Sequence, residues 1–256
     1  MANTVEVLRN SYGGTIDFNT SVGLGKVERF SIVNKFGRND LINIGTVPET
    51  VWTGGGVYPF PSAQGIVSIV SNSANDAPVL GGAITMFVSG TDDQYNEISE
   101  IVALAGTTPV STTLEYYRIS RMFVVSAGAT GVNVGDLSAS LSGTPISYID
   151  AGKGQTLQAV YTVPLGKRGI IKQYSSSVLR TQTSGTADFV LYTMANGVKR
   201  ARENWTCANQ GSTFVSNSLF GGITVDEGTD VYINVEFVGA NTTVVTGGFD
   251  ILLEDK

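Results

Sequence analysis

The sequence predicts an all-β protein: two β-sandwich, jelly-roll-like domains behind an irregular N-terminal arm. Three observations carry that prediction. Apolar and polar residues alternate with period two, as at Leu157, Ala159, Tyr161 and Val163 against Thr156, Gln158, Val160 and Thr162, the mark of a strand with one buried face. The 31 glycines, set among tracts of Ser, Thr, Asn and Val, suit many short strands joined by tight turns. Leu, Lys and Glu are too sparse in most segments to build long helices.

Residues 1–62 read as the arm. They lack a steady period and end in a Gly/Pro cluster, Thr53-Gly54-Gly55-Gly56-Val57-Tyr58-Pro59-Phe60-Pro61, where regular structure must break. Within the arm, residues 24–36 fit neither the helical nor the strand period, and both remain open. Residues 63–143 read as the first sandwich, with strands at 66–70, 83–88, 95–104, 114–120, 122–125 and 136–141. A polar turn at 89–94 separates two of them.

Residues 144–256 read as the second, jelly-roll-like sandwich, entered through a boundary or long crossing at 142–153. Val190, Tyr192 and Met194 run into Asn196-Gly197, a dipeptide whose tolerance of positive φ signals a hairpin. Val231, Ile233, Val235 and Phe237 alternate with polar neighbours. Phe249, Ile251 and Leu253 make the last strand.

Composition narrows the function. There is no histidine, so no Ser-His-Asp or Cys-His arrangement and no His-based zinc site can form. The net charge of −6 and a pI near 4.7 argue against nucleic acid as a partner, because phosphate contacts need a dense positive surface. Charged residues make up only 15%, which suits a protein packed against neighbours. Cys207 is the sole cysteine and reads as a small hydrophobe in a strand. The first residues show no secretory pattern, and no window approaches about 18 consecutive apolar residues. No membrane partner and no cofactor are expected.

Four clusters invite a chemical reading. Val22-Gly23-Leu24-Gly25-Lys26 lacks the full phosphate-loop pattern and reads as a loop. Asp92 and Asp93, with Glu97 and Glu100, could be paired carboxylates for glycoside hydrolysis or Ca²⁺ ligands, but their place in a turn favours local hydrogen bonding. Asp226-Glu227-Gly228-Thr229-Asp230 reads the same way. Neither a catalytic nor a metal site is expected.

Lys199, Arg200 and Arg202 form the densest basic patch: either a contact for an acidic partner surface, or charge that keeps an edge strand from unwanted pairing, the favoured reading. Trp52, Tyr58 and Phe60 could be interface or sugar-binding aromatics, or anchors that pin the arm to its own sandwich.

Two stretches are distinctive: Asn34-Lys35-Phe36-Gly37-Arg38-Asn39-Asp40 and Glu49-Thr50-Val51-Trp52-Thr53-Gly54-Gly55-Gly56-Val57-Tyr58-Pro59-Phe60. With them the chain resembles virion-associated structural proteins of tailed bacteriophages, of the kind found in phages of marine and freshwater bacteria. The likeness continues through 71–76, 95–100 and 117–121, and weakly through 154–164. It implies a component of the particle and no enzyme.

The expectation is therefore a non-enzymatic virion protein, assembled in the host cytoplasm. Its leading form is a capsid decoration or cement protein, a homo-oligomer such as a trimer, bound to the major capsid protein or other virion proteins. Phe36, Arg38, Trp52, Tyr58, Phe60, Lys199, Arg200 and Arg202 are its candidate interface residues. The alternative is a neck, tail or fibre protein that binds the host surface; a third reading is a polysaccharide-degrading enzyme. The lack of a long helix argues against the usual tailed-phage major shell fold.

Overall fold

The computed structural model describes residues 17–179, 185–208 and 214–256. Among these the chain is all-β, with sixteen strands and one six-residue helix, α1 (Phe18–Gly23). Asp17 caps that helix by accepting from Thr20 N at 3.1 Å, satisfying one of its orphan donors.

The chain first lays down β1 (Phe30–Ile42) and β2 (Glu49–Thr50). Seven strands follow: β3 (Gly65–Ser71), β4 (Ala83–Thr91), β5 (Glu97–Ala103), β6 (Val110–Tyr116), β7 (Arg118–Ala127), β8 (Leu137–Leu141) and β9 (Thr144–Ile149). The last seven are β10 (Val160–Thr162), β11 (Lys167–Leu179), β12 (Thr186–Ala195), β13 (Val198–Ala208), β14 (Phe214–Val225), β15 (Asp230–Val238) and β16 (Thr243–Asp255).

Four antiparallel sheets result. Two of them, β6-β3-β8-β9 and β5-β4-β7, use only the middle of the chain and are here called the insert. The other two, β1-β16-β11-β14 and β10-β15-β12-β13 with β2 beside β15, form the frame. Each pair of sheets shares one apolar core. In the frame Phe189, Leu191 and Ile233 from one sheet join Val245, Phe249 and Ile251 from the other. In the insert Val67, Ile69 and Leu137 join Met86, Val88 and Met122. Burying a side chain of this size stabilises by roughly 1.5–3 kcal/mol. Cys207 lies in the frame core, 3.0 Å from Ser176 Oγ, as a small hydrophobe should.

The expected irregular arm is corrected. Residues 1–16 lie outside the described residues, but Phe30–Ile42 is a thirteen-residue strand whose ladder with β16 begins at Phe30↔Glu254. β2 likewise joins the frame, through Asn234↔Thr50 and Val235↔Glu49. β1 lacks a strand period because three of its four buried positions, Ile42 being the fourth, are filled by Lys35, Gly37 and Asn39. These face polar or backbone neighbours, so the apolar alternation of an ordinary half-buried strand is missing.

Gly37 is needed there: a Cβ would sit 2.1 Å from Val51 O and 2.5 Å from Ala159 N. Asn39 is satisfied by Glu49, at 2.8 Å from Nδ2 to Oε2.

The boundary at 143/144 also moves. β9 pairs with β8 through Leu137↔Ile149 and closes the insert, so the crossing to the frame begins after Ile149. The expected strand 114–120 breaks at Tyr117 into β6 and β7. Of the alternating stretch 156–163 only Val160–Thr162 joins a ladder. The Asn196-Gly197 hairpin forms as expected, with φ of 50° and 75° joining β12 to β13.

One buried carboxylate organises the insert. Asp76 is fully buried and accepts from Ser71 Oγ at 2.6 Å and from Ala83, Val134 and Gly135 N, each at 2.8 Å. Burial alone would raise its pKa, but the four hydrogen bonds outweigh it and hold the carboxyl below its usual range. A depressed folded-state pKa contributes stability above the unfolded value near 4 and loses it as pH falls through the folded value. Asp76→Asn is therefore expected to cost about 2 kcal/mol at pH 7. The difference from wild type should shrink below pH 4, as read by urea midpoints across pH 2–7.

Candidate functional site

The frame and the insert meet along a seam held by one buried ion pair. Arg118 starts β7 and Asp230 starts β15, so two strand ends bring the groups together. Guanidinium Nε and Nη2 each lie 3.1 Å from a carboxylate oxygen, and the side chains are only 6% and 5% exposed. Two parallel bonds of this kind fix orientation as well as charge. Arg118 Nη1 also donates to Pro61 O at 2.6 Å and Tyr117 O at 3.1 Å, while Thr162 Oγ1 donates to Asp230 at 2.5 Å. Burial opposes the charge on Arg118, but the bonds to Asp230 and its charge prevail and raise the pKa above its ordinary value.

The residues 226–230 thus divide: Asp226 to Thr229 form the expected loop, whereas Asp230 is a buried structural anion. Charge inside an otherwise apolar strand run, as at Tyr117-Arg118-Ile119, is the signal that could have found this pair, since Arg and Asp are rarely fully buried unless paired.

An aromatic series runs from the seam. Arg118 lies over Tyr117 at 3.9 Å and over Phe60 at 5.4 Å. Ring centroids then follow at 4.9 Å (Phe60–Tyr58), 5.2 Å (Tyr58–Trp52), 4.9 Å (Phe60–Tyr232) and 5.6 Å (Tyr232–Tyr192). Lys199 Nζ ends the series 3.7 Å from the Tyr192 ring.

Trp52 and Tyr58 are buried, 3% and 1% exposed, in a cluster with Val160 and Tyr232. That corrects the interface reading of these two residues: they anchor the chain inside its own fold. Phe60 is half-buried against the same cluster. The adjacent glycines serve the anchor. Gly55 and Gly56 take positive φ of 69° and 65°, which glycine adopts without strain. They bring Gly56 O to 3.2 Å from Trp52 Nε1 and 2.9 Å from Thr50 N.

The buried Tyr58 hydroxyl lies near Gln158 but has no partner in hydrogen-bond geometry. Removing an unpaired buried hydroxyl sheds a desolvation cost. Tyr58→Phe is expected to match or exceed wild-type stability, by up to about 1 kcal/mol in chemical unfolding.

The remaining candidates separate. Asp92 accepts from Gln94 N, Asn96 N and Asn96 Nδ2, each at 2.9 Å, as a turn-former does. Glu100 is held by Thr113 N at 2.9 Å and Leu114 N at 3.0 Å. Among the described residues no group of three or more His, Cys, Asp or Glu is placed to hold a metal ion. Arg38 pairs with the exposed Asp40 at 2.5 Å.

Lys199, Arg200 and Arg202 are exposed on β13, an edge strand of its sheet. β14, beside it, is the edge of the facing sheet, and Arg202 Nη2 reaches Thr224 O across at 3.4 Å. No charged residue occurs in β14, and its Phe220 is fully exposed. Basic and apolar edges therefore share one margin of the frame.

A cleft of about 880 Å³ lies between β1 of the frame and β4, β5 and β7 of the insert. Phe36 lines it with Lys35 and Arg121, two cations that composition alone did not single out.

No protein-family model and no curated protein matches the chain. Solved structures similar to it include the crystal structure of the PBSX exported protein XepA. It is 10% identical, covers 98% of this chain and 99% of that one, and has a TM-score of 0.20. Another is the infectious bursal disease virus VP2 subviral particle, 10% identical over 89% of this chain and 73% of that one, with a TM-score of 0.16. Likenesses at these TM-scores carry no argument about what this chain does.

Proposed function

We propose that the chain is a non-enzymatic structural protein of a tailed-bacteriophage particle, a decoration or cement protein of the head. In this reading the frame and the insert are two β-sandwiches, the frame jelly-roll-like, and the protein works by burying surface against neighbouring subunits. The observation that carries the reading is the margin formed by β13 and β14. Residues 215–223 of β14, charge-free and with a fully exposed Phe220, lie at a sheet edge that no other described strand covers, an aggregation liability unless a partner pairs with it.

The basic residues Lys199, Arg200 and Arg202 next to it fit an acidic partner surface, and the resemblance at 34–40 and 49–60 points to a particle component. Repeated by symmetry, an interface of about 1,600 Å² per contact holds neighbouring subunits firmly. The test is sedimentation of purified protein with empty phage shells. Binding should raise the shell disruption temperature, and Phe220→Ser with Arg200→Glu should abolish both effects. Protein that never associates with shells or finished virions overturns the reading.

A further inference from the structure

The cleft between frame and insert holds two cations that no carboxylate of the described residues pairs with. Lys35 is buried, and its ammonium donates to Ser120 O. One of its three donors is thereby used, and no carboxylate of the described residues lies within ion-pair distance of it. Arg121 donates to Asn34 O at 2.8 Å, lies 6.0 Å from the Phe36 ring, and likewise has no acidic partner. Both line the cleft. Buried charge is costly unless paired, so two unpaired cations at one concave site call for an anion from outside.

The rest of the lining narrows its chemistry. Ser89, Ser99 and Gln155 present hydroxyl and amide groups, Phe36 and Phe87 are half-buried ring faces, and Glu97 is an exposed acceptor. Hydroxyl-bonding groups between aromatic faces suit a sugar. An extended peptide would instead need a free strand edge, and β1 does not offer one here. Its Asn34 O is taken by Arg121, and its Arg38 N bonds Leu157 O at 3.4 Å.

We propose that this cleft binds an acidic sugar, with Lys35 and Arg121 clamping its carboxylate and the serines, Gln155 and Glu97 holding its hydroxyls. The site is separate from the β13–β14 margin, so it stands or falls independently of the cement reading. Arg121 and Glu97 are the charged groups that share the cleft with Lys35, and burial, reinforced by Arg121, depresses the Lys35 pKa to about 7. The Tyr161 hydroxyl, buried and near Glu97, is pushed upward and stays protonated.

The experiment is calorimetric titration of the full chain with tetragalacturonate, a neutral glucose tetramer of equal length, and a glutamate-rich peptide. Tetragalacturonate alone should bind, and binding should weaken as pH rises from about 6 to about 9, because Lys35 loses its charge. Arg121→Gln, which removes a partly exposed side chain and leaves the buried Lys35 in place, should weaken it at least about tenfold. Phe220→Ser should leave it unchanged. Equal binding of the neutral tetramer, tighter binding of the peptide, an unaffected Arg121→Gln, or no heat from tetragalacturonate at 10-millimolar order each overturns the assignment.

Discussion

Arg118→Ala is expected to destabilise the protein by about 3–5 kcal/mol, because it leaves Asp230 buried without its partner. The effect should be larger than that of any surface charge. Arg168–Glu254, for comparison, is partly exposed at 3.8 Å, and such pairs contribute about 1 kcal/mol or less. Arg118 also ties two other segments to its own strand, through Asp230 on one side and Pro61 O with the Phe60 ring on the other, so the loss should appear as a loosening of the seam.

Replacing the pair together, Arg118→Met with Asp230→Leu, should recover much of the loss, since two apolar groups of similar bulk need no counter-charge. Chemical unfolding of the two single variants and the double variant gives the coupling directly. A double variant as unstable as the sum of the singles means that the charges are not acting as a pair.

Gly37→Ala should cost about 3 kcal/mol, although it adds a single methyl group. Overpacking usually costs roughly 1–3 kcal/mol because side chains can rotate away. Here the atoms in the way are backbone: Val51 O at 2.1 Å and Ala159 N at 2.5 Å. Relief requires β1 to move off the β2 and β10 segments, breaking Ala159 N→Val51 O, now 3.0 Å. A melting temperature within 2 °C of wild type, read against the roughly 2–4 °C per kcal/mol expected at this size, means that the three segments are not so closely packed.

These residues also show where the sequence was legible. Segments whose buried face is apolar throughout were readable, Ile66 to Val70 in β3 as a run rich in β-branched residues and Val231 to Val235 in β15 from alternation. The Asn196-Gly197 turn was readable because its chemistry is local. β1 was not, because Lys35, Gly37 and Asn39 occupy three of its four buried positions and their partners come from elsewhere in the chain.

β11 was not readable either. Its ladders to both neighbours shift register between Ile171 and Gln173, which breaks the period a search relies on. The motif Trp52 to Phe60 was visible as distinctive but ambiguous between anchor and interface. Burial settled that for Trp52 and Tyr58, and nothing local to the motif could have done so. The charged pair at the seam joins residues 112 apart: the local pattern can flag Arg118 as a charge in a buried run, but it cannot name the partner.

The ladder between β1 and β16 gives synthesis and folding a fixed order. β1 leaves the ribosome before the insert, yet its neighbour Thr243–Asp255 is made some two hundred residues later, so the frame stays open while every strand between them is made. Meanwhile the insert has all seven of its strands in hand once Ile149 has emerged, and the bonds of β7 to Gly154 and Thr156 need only the next few residues. Long-range closure of this kind is slow, and until it is complete the unpaired strand is open to a neighbouring copy. The insert is therefore complete before the strands that flank it can meet.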